Sequence, residues 1–418
     1  LLKFSRYSSS INTLLVVLWD QRKSFGAAFF ILFIILIISS SGMYLVEKDI
    51  QPDKFGSIPQ SMWWSIVTLT TVGYGDVYPV TSMGKFFGSI IIILGIGTVA
   101  LPSGILASAF TEHTKRNQKK YEDQLSHQFN VKHAIVCNSG TAALHLAVEA
   151  TTNPGDEVLV QSLTYVSSFQ AISASNTIPI PCDVDIDSGT ISIEDAKNRI
   201  TDNTKIIMPV HYASNPHQID NIYSFAKKNK LRVIEDAAHA FGCKYKGKKI
   251  GSFGDIVCFS FDGIKNITSG EGGCVVTSDT KVAQYVRDAR LLGVKKDTEK
   301  RFSRTRSWEF DVTHQGYRYH MSNLFAAIGR AQLKKLDLEF APKRKKFAKL
   351  YRDKLADVKE LSFFSTNLKD HIPHIQPVRI INGKRDLVMK ILKKNKVETG
   401  IHYKPNHLLS FYSSSNKN

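Results

Sequence analysis

Acidic residues are in short supply. The 418-residue chain carries 37 Asp and Glu against 55 Lys and Arg, a formal net charge of +18. A basic surplus suits the cytoplasmic ends of membrane spans, a phosphorylated ligand or a nucleic acid. No nucleic-acid-binding motif accompanies it, so no nucleic-acid partner is expected. Cysteine is scarce as well: the five thiols, Cys137, Cys182, Cys243, Cys258 and Cys274, all lie in the later part of the chain without CxxC spacing. That excludes the common thiolate metal and dithiol redox patterns, no metal is expected, and the cysteines read as reduced core thiols of a cytosolic domain. There is no signal peptide with a cleavage site, and the opening Leu1 in place of Met is what a fragment would show. Nothing Gly- or Ser-rich marks a flexible linker.

What is present is unevenly divided. Long apolar runs are confined to the region before residue 111, and the remainder looks soluble, in a chain long enough for two or three domains. Residues 25–46 carry no charge and, at about 1.5 Å per residue, can cross a hydrocarbon layer of about 30 Å. A second run covers residues 86–110. Arg22 and Lys23 precede the first run, and Lys115, Arg116, Lys119 and Lys120 follow the second, which places both outer ends in the cytoplasm.

Between the runs lies PQSMWWSIVTLTTVGYGDVYP, too short and too polar to span again. A re-entrant helix is expected over residues 59–70, then an extended strand lining a water-filled path, formed by Thr71, Val72, Gly73, Tyr74 and Gly75. If the glycines adopt backbone angles closed to other residues, the carbonyls of Thr71, Val72, Gly73 and Tyr74 can point at one axis. Four copies then replace the water around dehydrated potassium ions.

This portion resembles the pore module of tetrameric voltage-gated potassium channels over about the first 113 residues. The resemblance implies that Trp63 and Trp64 buttress a selectivity filter at Thr71 to Gly75, that Asp76 sits at its outer mouth, and that Gly95 and Pro102 are flexible points of the gating helix. Residues 1–24 look like the end of a sensor helix and its linker, with Lys3 and Arg6 as its basic residues. Residues 25–113 form the pore. Residues 114–128 are charged and read as a solvated junction helix running out of the membrane.

Beyond the junction, short β-branched runs alternate with amphipathic segments: HAIVC then TAALHLAVEA, EVLVQ then SSFQAISAS, KIIMPVH then IDNIYSFAKKN, followed by RVIEDAA, DIVCFSF and GCVVTS. This alternation argues for an α/β fold with a mostly parallel sheet covered on both faces. Ligands in such sheets sit beyond the carboxyl ends of the strands. Asn138, Ser139, Gly140 and Thr141 follow the first run and open a helix, where free N–H groups and the helix dipole favour a phosphate. Asp236 ends another strand and could hold a proton on a pyridine nitrogen. Ser260 lies five residues before Lys265, which sits in the glycine-rich FSFDGIKNITSGEGG.

That set resembles the DegT family of nucleotide-sugar aminotransferases over about residues 122–418, on the strings NSGTAAL, VIEDAAHAFG, FSFDGIKNITSGEGG and GYRYHMSNLFAAIGRAQL. The resemblance implies an aspartate aminotransferase-like fold that uses pyridoxal 5'-phosphate. Lys265 would anchor the cofactor covalently, Asp236 would pair with its pyridine nitrogen, and Gly140, Thr141 and Ser260 would hold its phosphate. Tyr165 matches the aromatic that stacks on the ring, and His239 a residue beside it. His320 lies in a segment that, in the family, reaches the neighbouring subunit's cofactor. The expected reaction moves an amino group from an amino acid, commonly glutamate, to a nucleotide-linked keto-sugar. The basic stretch from Lys295 to Arg306 could meet the diphosphate.

Departures from the family are also expected to matter. The channel replaces the opening segment, the small domain at residues 341–418 is incomplete after a large domain at residues 129–340, and Ser214 stands where glycine is common. The enzyme part should form a dimer and the pore a tetramer, which a dimer of dimers satisfies. With residues 25–110 in the inner membrane and in contact with lipid, the enzyme lies in the cytoplasm. Two other readings stand beside this one. In one, the enzyme-like domain serves a potassium channel only for assembly or ligand sensing; in the other, two gene fragments have been joined artificially, and the enzyme is simply cytoplasmic.

Overall fold

The computed structural model describes residue 19 and residues 21–115, 117–294 and 311–413. The expected sensor-helix residues Lys3 and Arg6 and the basic stretch from Lys295 to Arg306 lie outside the described residues. The chain forms two compact units, residues 1–116 and residues 117–418.

In the first unit, α1 (Arg22–Glu47) leads through a helical turn, α2 (Pro52–Phe55), into α3 (Ile58–Leu69), and α4 (Ser82–Lys115) follows with Pro102 inside it. Helix α1 is long and apolar enough to cross a membrane. Its large side chains Phe29, Phe30, Phe33, Ile34 and Ile38 are exposed, an arrangement costly in water and natural against lipid. The second expected run, residues 86–110, falls within α4. Met43, Phe55, Trp64, Leu69 and Ile91 form a small core among the helices. Two glycines set the helix spacing: a Cβ on Gly42 would lie 2.4 Å from the Phe87 ring, and one on Gly95 would lie 3.2 Å from the Leu69 backbone. Gly95, expected as a flexible point, thus also lets α4 approach the end of α3. At the end of α1, the buried Glu47 carboxylate accepts from the Thr81 N–H at 3.0 Å and the Thr81 hydroxyl at 2.6 Å, tying α1 to the start of α4.

The second unit begins with α5 (Asn117–Phe129), then β1 (His133–Cys137), α6 (Gly140–Glu149), β2 (Glu157–Gln161), α7 (Ser167–Ala174), β3 (Ile178–Cys182), α8 (Ile193–Arg199), β4 (Thr204–Met208), α9 (Ile219–Lys228) and β5 (Arg232–Asp236). A small hairpin, β6 (Lys244–Tyr245) and β7 (Lys248–Lys249), precedes β8 (Ile256–Ser260), β9 (Gly273–Thr277) and α10 (Thr280–Ala289). The sheet order is β1-β9-β8-β5-β4-β2-β3. All pairings from β8 through β3 are parallel, and β9 runs antiparallel to both β1 and β8.

Alternation along the strands divides the core. Ile135, Cys137, Val158, Val160, Ile206, Met208, Ile256 and Cys258 face α6, α7 and α10. Ala134, Val136, Val257 and Phe259 face α5 and α11 (Asn323–Leu333), while Leu159, Ile207 and Val233 face α8 and α9. With helices on both faces, the strands are apolar throughout, which is why they read as β-branched runs.

The junction departs from its expected solvated form. Tyr121, Leu125 and Phe129, spaced four apart on α5, are fully buried and pack beneath the sheet on Phe241, Phe259 and Phe261. A helix that is mostly polar can still bury one narrow stripe. The C-terminal part contains α12 (Ala341–Lys354), a two-stranded ladder of β10 (Leu361–Ser362) and β11 (Arg379–Ile380), and α13 (Arg385–Lys394).

Candidate active site

The carboxyl ends of β1, β2, β4, β5 and β8 converge, because these strands run in one direction. Beyond β1, the Ser139 hydroxyl caps α6 by accepting from the Ala142 N–H at 3.0 Å. Gly140 is needed at that helix start, since a Cβ there would lie 2.8 Å from the Cβ of Ser260. Gly273, at the start of β9, is pressed harder still: its Cβ would meet the Ser139 carbonyl at 2.2 Å. The helix N-terminus, Ser260 and the glycine-rich turn therefore share one edge. Thr141 is exposed in the first turn of α6, and Ser260 is buried.

Asp236 closes β5 and is 3% exposed. Its carboxylate accepts from the Ser168 hydroxyl at 2.7 Å and the Ala238 N–H at 3.1 Å. Burial raises its pKa, while Ser168, Ala238, Lys265 and His211 oppose that rise. Lys265 lies on the loop between β8 and β9, half-buried, and burial lowers its pKa against the pull of Asp236 and Asp262. An amine with a depressed pKa is closer to the neutral form that attacks a carbonyl.

The loop around Lys265 is held from several sides. The buried Asn266 amide donates to the carbonyls of Phe241 and Ile372, each at 3.1 Å. The Arg344 guanidinium on α12 donates to the Lys265 carbonyl at 3.0 Å and the His374 carbonyl at 3.2 Å. Thr268 accepts from the Gly270 N–H at 2.8 Å, in a turn where Gly270 has φ +87°.

His239 is buried, with its ring 4.4 Å from that of His374 and its Nε2 3.2 Å from the Tyr403 hydroxyl. Burial, with His374, Lys265 and His402 nearby, pushes its pKa well down, so the ring is neutral. Its Nδ1 is buried without a hydrogen-bond partner among the described residues. Tyr165 is 57% exposed, with its ring 5.6 Å from that of Tyr403. His320 forms an isolated bridge with Cys137, at the end of β1.

Ser214 has φ +72° and follows Ala213 at φ +52°, so the position expected to prefer glycine is a left-handed one. The serine is held there by its hydroxyl, which donates to the His239 carbonyl at 2.5 Å and accepts from the His374 N–H at 2.9 Å. Several other residues escaped the sequence reading. Ser168 sits close after Tyr165 and could have been suspected from that spacing. His374 and Tyr403 come from irregular chain far downstream, with no local signal.

These features combine an amine of lowered pKa, a buried acid, a neutral imidazole with an open nitrogen, and a helix N-terminus. The family model of the DegT/DnrJ/EryC1/StrS aminotransferases matches residues 103–418. The chain belongs to this aminotransferase family. It is therefore a transferase in its larger part, and the DegT-type fold is shared with known proteins. The uncharacterized protein MJ1066 of Methanocaldococcus jannaschii is 37% identical over 301 residues, covering 70% of this chain and 77% of that protein. The structure of Helicobacter pylori PseC, an aminotransferase involved in the biosynthesis of pseudoaminic acid, is 26% identical with a TM-score of 0.64, covering 71% of this chain and 80% of PseC. That of ntda from Bacillus subtilis, with its bound cofactor PMP, is also 26% identical with a TM-score of 0.65, covering 72% and 67%.

A family model for ion transport proteins matches residues 1–118, overlapping the start of the DegT-family match. Here Ser57 caps α3, and the segment after it alternates in handedness: Thr71, Gly73 and Gly75 have φ of +60°, +61° and +77°. This differs from the extended strand expected. A regular strand turns successive peptide units to opposite sides, whereas left-handed residues at every second position break that alternation. Successive carbonyls can then share one side, and the glycines meet the requirement placed on them. Trp63 braces the segment, with Nε1 donating to Asp76 at 2.9 Å and its ring stacked on Tyr74 at 6.0 Å. Trp64 is buried in the small core instead.

Proposed function

We propose that the second unit is a pyridoxal phosphate-dependent aminotransferase acting on a nucleotide-linked keto-sugar, with an amino acid, glutamate first among candidates, as donor. The observation that carries the reading is the pairing of Lys265, its pKa lowered by burial, with the buried Asp236 across the carboxyl edge of the sheet. The PMP bound by ntda and the biosynthetic role of PseC support the cofactor and the sugar.

When bound, the cofactor supplies an aldehyde to accept an amino group and an electron-withdrawing ring to stabilise a carbon that loses a proton. The residues divide the remaining work. Lys265 Nζ would anchor the aldehyde and, as a free amine, would take up and return a proton. The Asp236 carboxylate, steadied by Ser168, holds a proton on the ring nitrogen. Gly140, Thr141 and Ser260 would receive the phosphate at the start of α6, and His239 and Tyr165 would hold the ring. The fit rests on the open His239 nitrogen and on the close approach of Gly140 to Ser260.

For the first unit we propose a potassium-selective pore with its filter at Thr71, Val72, Gly73, Tyr74 and Gly75, assembled from four chains with α1 and α4 in the cell membrane and the enzyme in the cytoplasm. Left-handed residues at alternate filter positions support this. The domain limits proposed from the sequence remain, with the junction helix assigned to the enzyme. The enzymatic reading is tested by incubating the purified chain with pyridoxal phosphate, amino-labelled glutamate and nucleotide-linked keto-sugars, and following the label by mass spectrometry. Label should enter a sugar product with the wild type and not with Lys265→Ala; no transfer from any amino donor to any keto-sugar would refute the assignment.

A further inference from the structure

β5 ends in two consecutive acids, Glu235 and Asp236, in an otherwise apolar strand end. Neighbouring side chains on a strand point to opposite faces, and both acids are buried, at 0% and 3% exposure. The active site uses Asp236 only. Glu235 lies under it, accepting from the Tyr223 hydroxyl at 2.7 Å and meeting His211 Nε2 at 2.7 Å. The His211 side chain is itself 2% exposed. His211 follows β4, and its backbone N–H donates to the Asp236 carbonyl at 3.0 Å. A buried carboxylate is held protonated by a second carboxylate nearby, and a cation between them lifts that penalty.

We propose that His211 is a positioning residue which, as an imidazolium paired with Glu235, cancels that acid's charge and keeps Asp236 a carboxylate able to hold the ring-nitrogen proton. The inference rests on the reading of Asp236 given above. The other groups facing Asp236 are the Ser168 hydroxyl from α7, the Cys258 thiol from β8, Lys265 from the loop after β8, and the Tyr403 hydroxyl. Facing the pair are Tyr223 from α9, Cys258 from β8 and the neutral His371 ring. Of the groups facing Asp236, Lys265 is the one basic amine, but burial disfavours its charged form and it is committed to the cofactor's aldehyde. His211 is fixed by two hydrogen bonds and stays in place throughout turnover.

The test is the pH dependence of pyridoxal phosphate affinity, read from cofactor absorbance, in the full-length chain, in His211→Gln, in Glu235→Gln and in the double variant. His211→Gln should raise the acid-side midpoint of binding by about one pH unit, weakening affinity about tenfold below it while recovering at high pH. The double variant, which removes both charges, should bring the midpoint back to the wild-type value. A loss in His211→Gln that is equal at every pH and deepened in the double variant would make the pair a packing strut and overturn the proposal. Glu235→Gln keeps a hydrogen-bond partner for the ring, so it serves if His211→Gln does not fold. Its midpoint should stay or fall, and a rise would overturn the proposal equally. If the wild type gives no Lys265-dependent absorbance, the reading of Asp236 fails first, and the two failures are thereby separated.

Discussion

Three buried histidines bear on how the empty enzyme responds to acid. Burial lowers the pKa of His374 to about 3 and of His371 to about 4, and holds that of His239 well below its ordinary value. All three are depressed in the folded state, so below the ordinary value of 6.5 the unfolded chain binds more protons. Stability must then fall as pH drops from that value toward about 4, by up to about 1.4 kcal/mol per pH unit for each ring. Denaturant titrations of the cofactor-free protein between those limits should show this slope, and His374→Gln should reduce it. An unchanged slope in the variant would mean that the ring is protonated when folded. Ser214 makes a second residue-level case. Ser214→Gly relieves about 1 kcal/mol of left-handed strain, but it leaves the His239 carbonyl and the His374 N–H without their hydroxyl partner, a loss of about 1–3 kcal/mol. The glycine variant should therefore be less stable by denaturant midpoint, although glycine is the conformationally easier residue there.

Helix α5 shows what an element can hide. Its sequence is dominated by Lys, Gln, Glu and Asp, and three residues, Tyr121, Leu125 and Phe129, decide its fate. Gly329 on α11 is matched to it, since a Cβ there would lie 2.7 Å from the Tyr121 ring. Tyr121→Ala should destabilise the second unit by about 3–5 kcal/mol, while Asp123→Ala on the exposed side should change stability by less than about 0.5 kcal/mol. Equal effects would return α5 to a solvated linker. The strands were legible for the opposite reason, since a strand buried on both faces carries its pattern in a few adjacent β-branched residues. The reversed direction of β9 was not legible, because it follows from the turn at Gly270 to Gly273 and not from composition. The placement of Lys265 and Asp236 at the carboxyl edge was legible from sequence, since each stands just past or at a strand end. Glu235 could have been suspected too, as a second acid in an apolar strand demands a partner, whereas the hold of Arg344 on the Lys265 loop depends on a helix from another region of the chain.

At the scale of the whole molecule, one chain carries an ion-transport region and a DegT-family aminotransferase, and the two ask for different symmetries. Four chains are needed around the proposed filter, and two at the proposed enzyme site. A tetramer built as a dimer of dimers meets both demands. In the pore, Gly73→Ala introduces a side chain at φ +61°, with no atom within 4 Å of the added Cβ in the single chain. Within one chain the cost is therefore that of the backbone, about 1–2 kcal/mol in each subunit. Potassium flux into liposomes should disappear in this variant, and a wild type equally permeable to sodium would contradict the filter. The central claim, however, concerns Lys265, and absorbance tests it most directly. Purified chain mixed with pyridoxal phosphate should develop a band displaced from that of the free cofactor, and Lys265→Ala should lack it; the same band in both proteins would contradict the account.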